Sequence, residues 1–143
     1  MKRFVAVTIF IGAVFTIMFL HTAQEYKHEQ AIRESLPEIP VPGMVTFVNM
    51  GADSCLPCRM MQPFLEELKI QYQDQAKIAY VDVWKHTHYG QRFEIMTIPT
   101  QLFFDHNGRE VFRHQGFMDK NSISAILEEL LDKQNTASKV TAI

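Results

Sequence analysis

A chain of 143 residues, 47% apolar and 21% charged, is long enough for one compact domain with a real core and too short for two. That balance argues against a disordered chain and against a polytopic membrane protein. The formal charge of −2, with Lys and Arg scattered along the chain, argues against nucleic acid as a partner, because nucleic acid demands a clustered basic face.

Taken in chain order, Lys2 and Arg3 precede an uncharged stretch from Phe4 to Leu20. The stretch is long for the ~7–15-residue apolar region of a signal peptide and near the short end of the ~17–25 residues that span a bilayer. Cleavage after Ala23 would put His21 where a small residue is wanted, and no cysteine follows the run to carry a lipid. Residues 1–20 therefore read as a retained transmembrane anchor in preference to a cleaved signal. The basic pair ahead of them predicts a cytoplasmic N-terminus, with the rest of the chain outside. On the anchor reading the chain is a single-pass protein of the cytoplasmic (inner) membrane with its domain on the periplasmic side. On the signal reading it is a secreted periplasmic protein.

Residues 21–42 read as a spacer, polar from Gln24 to Ser35 and then broken by Pro37, Pro40 and Pro42. A folded domain is expected over residues 43–134. VTFVNM, 45–50, is an apolar β-branched run of the kind that forms a strand buried on both faces. After the cysteine pair, Met61, Phe64, Leu65, Leu68 and Tyr72 fall at helical spacing, with Pro63 expected to kink that helix. KIAYVDV, 77–83, predicts a second strand, and the polar segment from Trp84 to Glu94 a short helix. QLFFD, 101–105, and EVFRH, 110–114, flank a His106-Asn107-Gly108 turn and predict a β-hairpin. Asp119 to Lys133 reads as an amphipathic helix capped by Asp119 or Asn121, and residues 135–143 as a loose polar tail. The order β-α-β-α-β-β-α implies an α/β domain with a mixed central sheet of about four strands flanked by helices. Its front half is a parallel strand–helix–strand unit, and the hairpin adds an antiparallel edge.

The chain has two cysteines, Cys55 and Cys58, separated by Leu56 and Pro57 at a strand-to-helix junction. One close pair cannot staple distant parts of a domain, so its purpose is chemical. The first cysteine of such a junction faces the unpaired N–H groups and positive dipole end of the helix, which favour a thiolate. Thiolate is the attacking species in disulfide exchange, so Cys55 is the expected nucleophile and Cys58, one turn further in, the resolving group. A zinc site would need about four ligands, and there is no second CxxC; His86 and His88 could complete a set only by coincidence of folding.

VTFVNMGADSCLPCRMMQPF, followed forty residues after the pair by TIPTQLFF, resembles the thioredoxin superfamily over roughly residues 43–133. In that superfamily a proline five residues after the second cysteine lies in the helix, here Pro63, and an Ile-Pro-Thr segment faces the active site, here Ile98-Pro99-Thr100. The resemblance implies a cis bond between Ile98 and Pro99, and substrate backbone pairing along Thr97, Ile98 and Pro99 like an added strand. It brings no cofactor and no metal. A narrower likeness joins IPTQLFFDHNGREVFRHQGFMD to the C-terminal domain of membrane disulfide reductases and to small anchored thioredoxins. That likeness implies a CcdA- or DsbD-type membrane electron donor and protein disulfides as substrates.

The chain also departs from the superfamily pattern. Where many thioredoxins place a buried Asp before the motif, this chain has Asn49, which cannot ionise; where they place a Lys on the next strand, it has Tyr80. Ser54 stands where Trp is usual. Asp53 and Asp82 are possible substitutes for the missing acid, though each also reads as an ordinary surface or strand-end residue. The methionines Met50, Met60, Met61 and Met96 read as core filler in preference to copper ligands, and Trp84 and Tyr89 as packing for the short helix in preference to walls of a substrate groove. The expected function is an exported thiol–disulfide oxidoreductase, acting as a reductant fed from the membrane. The alternatives are a disulfide oxidase or isomerase with the same chemistry, or a copper chaperone using the cysteines and a histidine.

Overall fold

The computed structural model describes residues 11–22, 24 and 38–141. The chain divides into one unit ending at Glu38 and a second from Ile39 onward. In the first, residues 11–22 are helical and exposed. The hydroxyls of Thr16 and Thr22 donate to carbonyls one turn back. Among the described residues no helix is long and apolar enough to cross a membrane. The first ten residues of the expected anchor, and residues 23 and 25–37 of the expected spacer, lie outside the described residues.

The second unit carries β1 (Val45–Gly51), α1 (Leu56–Gln71), β2 (Ala76–Asp82), α2 (Thr87–Arg92), β3 (Thr100–Phe104), β4 (Glu110–Gln115) and α3 (Lys120–Thr141). These form a four-stranded mixed sheet in the order β2-β1-β3-β4. β1 runs parallel to β2, with Asn49 opposite Tyr80 and Gly51 opposite Asp82. It runs antiparallel to β3, with Asn49 opposite Gln101 and Met50 opposite Thr100. β3 and β4 close the antiparallel edge.

Every residue of β1 is buried, as expected of a central strand covered on both faces. The two-residue period of a strand sorts its side chains. Val45 and Phe47 point with Ile78 and Phe103 into a core shared with Met61, Leu65 and Leu68 of α1 and Ile123, Leu127 and Leu130 of α3. Phe47 and Phe103 meet at 4.7 Å between ring centroids. On the other face Phe104 packs edge-on against Phe93 at the end of α2, 5.7 Å between centroids. The face beneath α1 and α3 therefore also receives Asn49 and Gly51 of β1, Tyr80 of β2 and Gln101 of β3.

The structure differs from the sequence-based expectations at two element ends. The packed unit begins at Ile39, not at residue 43: Ile39 is fully buried, and the Val41 and Gly43 N–H groups bond to Thr46 Oγ1 and the His106 carbonyl, both at 3.1 Å. The prolines around Ile39 suggested a spacer, but one apolar side chain between them has a place in the core. α3 continues to Thr141 through residues expected to form a tail. Nothing in 134–141 breaks a helix, and Thr136 and Ser138 hydroxyls bond back to the Asp132 and Gln134 carbonyls, so polarity there marks exposure and not the helix end. Pro63 lies inside α1, which runs through it as one helix.

Candidate active site

β1 delivers the chain to the start of α1, and Cys55 is the N-cap of that helix, with extended backbone (φ −82°, ψ 114°). Its Sγ accepts the Cys58 backbone N–H at 3.3 Å, filling one of the donor positions that every helix start leaves open. Pro57 sits in the first turn, where its missing N–H costs nothing. Cys55 and Cys58 are joined by a disulfide, Cα–Cα 5.2 Å. Cys55 is partly exposed and Cys58 fully buried. This asymmetry is what a two-step exchange requires: a sulfur that solvent-borne disulfides can reach, held at a helix N-terminus, and a second that only the first can reach.

The antiparallel pairing of β1 with β3 sets Thr100 beside Met50, so the end of β1 and the residues just before β3 share one end of the sheet. Thr97, Ile98 and Pro99 lie there. The Ile98–Pro99 bond is cis. The Thr100 hydroxyl donates to the Thr97 carbonyl at 2.7 Å, and the Gly116 N–H to the Pro99 carbonyl at 2.8 Å. Gly116 takes a left-handed φ of 100°, which glycine permits, and Met118 two residues on is buried in the core. The corner after β4 thus holds Pro99 in place. Thr97 and Ile98 line an open groove of about 980 Å³ together with Trp84, Gly90, Glu94 and Met96. The cysteines are not among its walls.

Asn49 and Gln101 are both fully buried beneath α1, where Gln101 Nε2 donates to Asn49 Oδ1 at 3.0 Å and approaches Met61 Sδ at 3.5 Å. Asn49 Nδ2 and Gln101 Oε1 have no hydrogen-bond partner. Of the two candidate acids, Asp82 is engaged by backbone: Oδ2 accepts from Asp53 N–H, and Oδ1 from Trp84 and Lys85 N–H, at 2.9–3.0 Å. Burial pushes its carboxyl up, but the N–H groups of Asp53, Lys85 and Trp84 outweigh that and hold it below the usual carboxylate range. Asp53 is exposed, forms an ion pair with Lys85, and accepts the Tyr80 hydroxyl at 3.4 Å. Hydrogen bonding to Asp53 keeps the Lys85 ammonium above its ordinary value. Burial, with the charges of Asp82 and Asp53, pushes the Tyr80 phenol up to about 12.

The sequence singled out the cysteines, the Thr97–Pro99 segment, Asn49, Tyr80, Asp53 and Asp82, and the structure gathers them around the start of α1 and the end of the sheet. Sequence reasoning missed Gln101, hidden within an apolar strand run, and Lys85, which nothing local distinguishes. Two expectations were wrong. Trp84 is 62% exposed and walls the groove, while only Tyr89 is buried packing for α2. Met50 and Met61 fill core, but Met60 and Met96 are exposed, at 55% and 88%. Among the described residues no three His, Cys, Asp or Glu side chains gather as a metal-binding group.

The thioredoxin family model matches residues 20–129 of the chain. A thioredoxin of Staphylococcus aureus (strain Mu50 / ATCC 700699) is 34% identical over 87 residues, covering 61% of this chain and 83% of the relative. A thioredoxin of Staphylococcus saprophyticus is 36% identical with the same coverage. Among solved structures, a mutant thioredoxin from Halobacterium salinarum NRC-1 superposes with a TM-score of 0.55 at 26% identity, over 61% of this chain and 74% of that one. The chain belongs to the thioredoxin family and is a thiol–disulfide oxidoreductase with Cys55 and Cys58 as its CxxC pair.

Proposed function

We propose that this oxidoreductase is exported and membrane-tethered, and that it reduces protein disulfides with electrons received from a CcdA- or DsbD-type membrane donor. The observation that carries the chemistry is the pairing of a partly exposed Cys55 at a helix N-cap with a fully buried Cys58. Cys55 thiolate attacks a substrate disulfide, and Cys58 then attacks Cys55 to release the second substrate thiol. The Thr97-Ile98-Pro99 segment receives the substrate backbone. Exposed Leu56 and Met60, four residues apart on α1, and Trp84 and Met96 in the groove offer apolar contact for residues flanking the substrate cysteine. Support for the tether is the Lys2-Arg3 pair ahead of the uncharged Phe4–Leu20 run, the charge pattern expected of an anchor whose domain lies on the periplasmic side. Support for the donor is the likeness of residues 98–119 to anchored, membrane-fed thioredoxins.

The direction of electron flow is tested by equilibrating the Cys55–Cys58 couple against glutathione or dithiothreitol buffers. A potential near −270 mV, about that of thioredoxin, is expected for a reductant fed from the membrane; one near −120 mV would make the chain an oxidant.

A further inference from the structure

In the second step of exchange Cys58 must lose a proton, because the thiolate and not the thiol attacks. Cys58 is fully buried, and burial disfavours a charged sulfur, so the proton needs an acceptor within reach. The buried polar groups beneath α1 do not supply one. Asn49 and Gln101 are amides bonded to each other. Asp82 accepts three backbone N–H groups, which hold its carboxylate ionised and tied to the Asp53 and Trp84–Lys85 backbone. The segment Thr97 to Gln101 contains no titratable side chain.

We infer that Tyr80 and Asp53 form the proton exit for Cys58, with Lys85 holding its outer end. The geometry begins at Gly51. The Tyr80 ring edge (Cε2) and Cys58 Sγ lie 2.9 and 3.1 Å from the position a Gly51 Cβ would occupy, so ring and sulfur close over the same point. From that ring the hydroxyl reaches Asp53 Oδ1 at 3.4 Å, and Asp53 Oδ2 pairs with Lys85. The Asp53 and Lys85 side chains are 59% and 63% exposed, so the chain of groups runs from a buried sulfur to solvent. Asp82 and Asp53 are the charges acting on Tyr80; on α1 the neighbouring ionisable residue is Arg59, which is exposed. The phenol stays neutral throughout the working range and passes a proton without holding a charge.

The step balances. Cys55 has already displaced one substrate sulfur as a thiolate and holds the other in a mixed disulfide. The Cys58 thiol proton passes to the Tyr80 oxygen as the Tyr80 proton passes to the Asp53 carboxylate and on to solvent. The Cys58 thiolate attacks Cys55 Sγ; the Cys55–Cys58 bond forms and the second substrate sulfur leaves with the electron pair. The dithiol is oxidised by two electrons and the substrate disulfide reduced by two. Tyr80 and Asp53 are positioning residues, since they act through Cys58.

The relay rests on the roles proposed above for the two cysteines, and the test separates the two ideas. The full chain, reduced, is mixed with excess 5,5′-dithiobis(2-nitrobenzoate) in a stopped-flow instrument. Thionitrobenzoate is released once when Cys55 attacks and again when Cys58 resolves. Tyr80→Phe keeps the ring and removes the hydroxyl; the second phase should slow on the order of a hundredfold near pH 7, its pH profile move to higher pH, and the first phase stay unchanged. Asp53→Asn, at an exposed site, should do the same. A second phase with wild-type rate and profile in both variants would overturn the relay and leave the cysteine roles intact. Equal slowing of both phases would mark a packing role and overturn it too. Loss of the first phase in Cys58→Ser would overturn the roles themselves, and the relay with them.

Discussion

A methyl group at position 51 has nowhere to go. Its carbon would lie 2.9 Å from the Tyr80 ring, closer than real carbon contacts allow, and 3.1 Å from both Cβ and Sγ of Cys58, tighter than nearly all real contacts. Two of those atoms belong to a cysteine held by both a helix and a disulfide, so the neighbours cannot yield easily. Gly51→Ala should therefore cost about 1–3 kcal/mol as an overpacked site, read as a lowered urea midpoint; an unchanged midpoint would contradict the packing described. Little of this was visible in the sequence, where Gly51 merely follows the VTFVNM strand run. The crowding comes from Tyr80, on another strand, and no local pattern announces it. Asn49 is the opposite case. Its departure from the superfamily's acid could be read directly, while its partner Gln101 could not, because QLFF reads as an ordinary buried strand whose polar member needs no explanation until its neighbour across the sheet is known.

At the scale of elements, the hairpin shows how turn chemistry is both legible and underdescribed. His106-Asn107-Gly108 announced a turn, and Gly108 takes the left-handed φ of 77° that the turn needs. The residue that organises it is Asp105, expected to be the last of the strand. Its Oδ1 accepts the Asn107 and Arg109 N–H groups at 2.9 and 3.0 Å, and its Oδ2 accepts the Arg109 guanidinium at 2.8 and 2.9 Å. Burial raises the Asp105 carboxyl, but the Arg109 backbone and guanidinium and the Asn107 N–H outweigh it and bring the net value below the ordinary one. A depressed folded value means stability that is present above the unfolded value of about 3.9 and lost as pH falls through the folded one. Asp105→Asn should accordingly cost about 1 kcal/mol at neutral pH, with the gap from wild type closing below about pH 4. Urea titrations at both pH values check this, and a gap independent of pH would contradict it. All seven elements of the second unit were legible in order, because two- and 3.6-residue periods are strong signals. Their ends were not: Ile39 and the last turns of α3 are settled by packing and by the absence of a breaker, neither of which polarity reports.

For the whole molecule, function depends on topology bringing distant segments to one end of the sheet. β1 leads into Cys55, and antiparallel pairing with β3 brings Thr97 to Pro99 to the same end. The superfamily resemblance conveyed that juxtaposition; spacing alone could not, since nothing in either segment names the other. The sequence leaves the groove walls undecided for a related reason. Whether Trp84 and Met96 are packed or exposed is decided by what the rest of the fold leaves uncovered, and an apolar residue in a sequence reads as core by default. The proposed chemistry depends throughout on the division of labour between the two sulfurs. Its most direct test is to react Cys58→Ser and Cys55→Ser, each as the full chain and in reduced form, with a protein disulfide such as insulin, and to look for a covalent adduct on a non-reducing gel. Cys58→Ser should accumulate a mixed disulfide through Cys55 that dithiothreitol releases, and Cys55→Ser should not. An adduct formed through Cys58 in Cys55→Ser, with none in Cys58→Ser, would contradict the assignment.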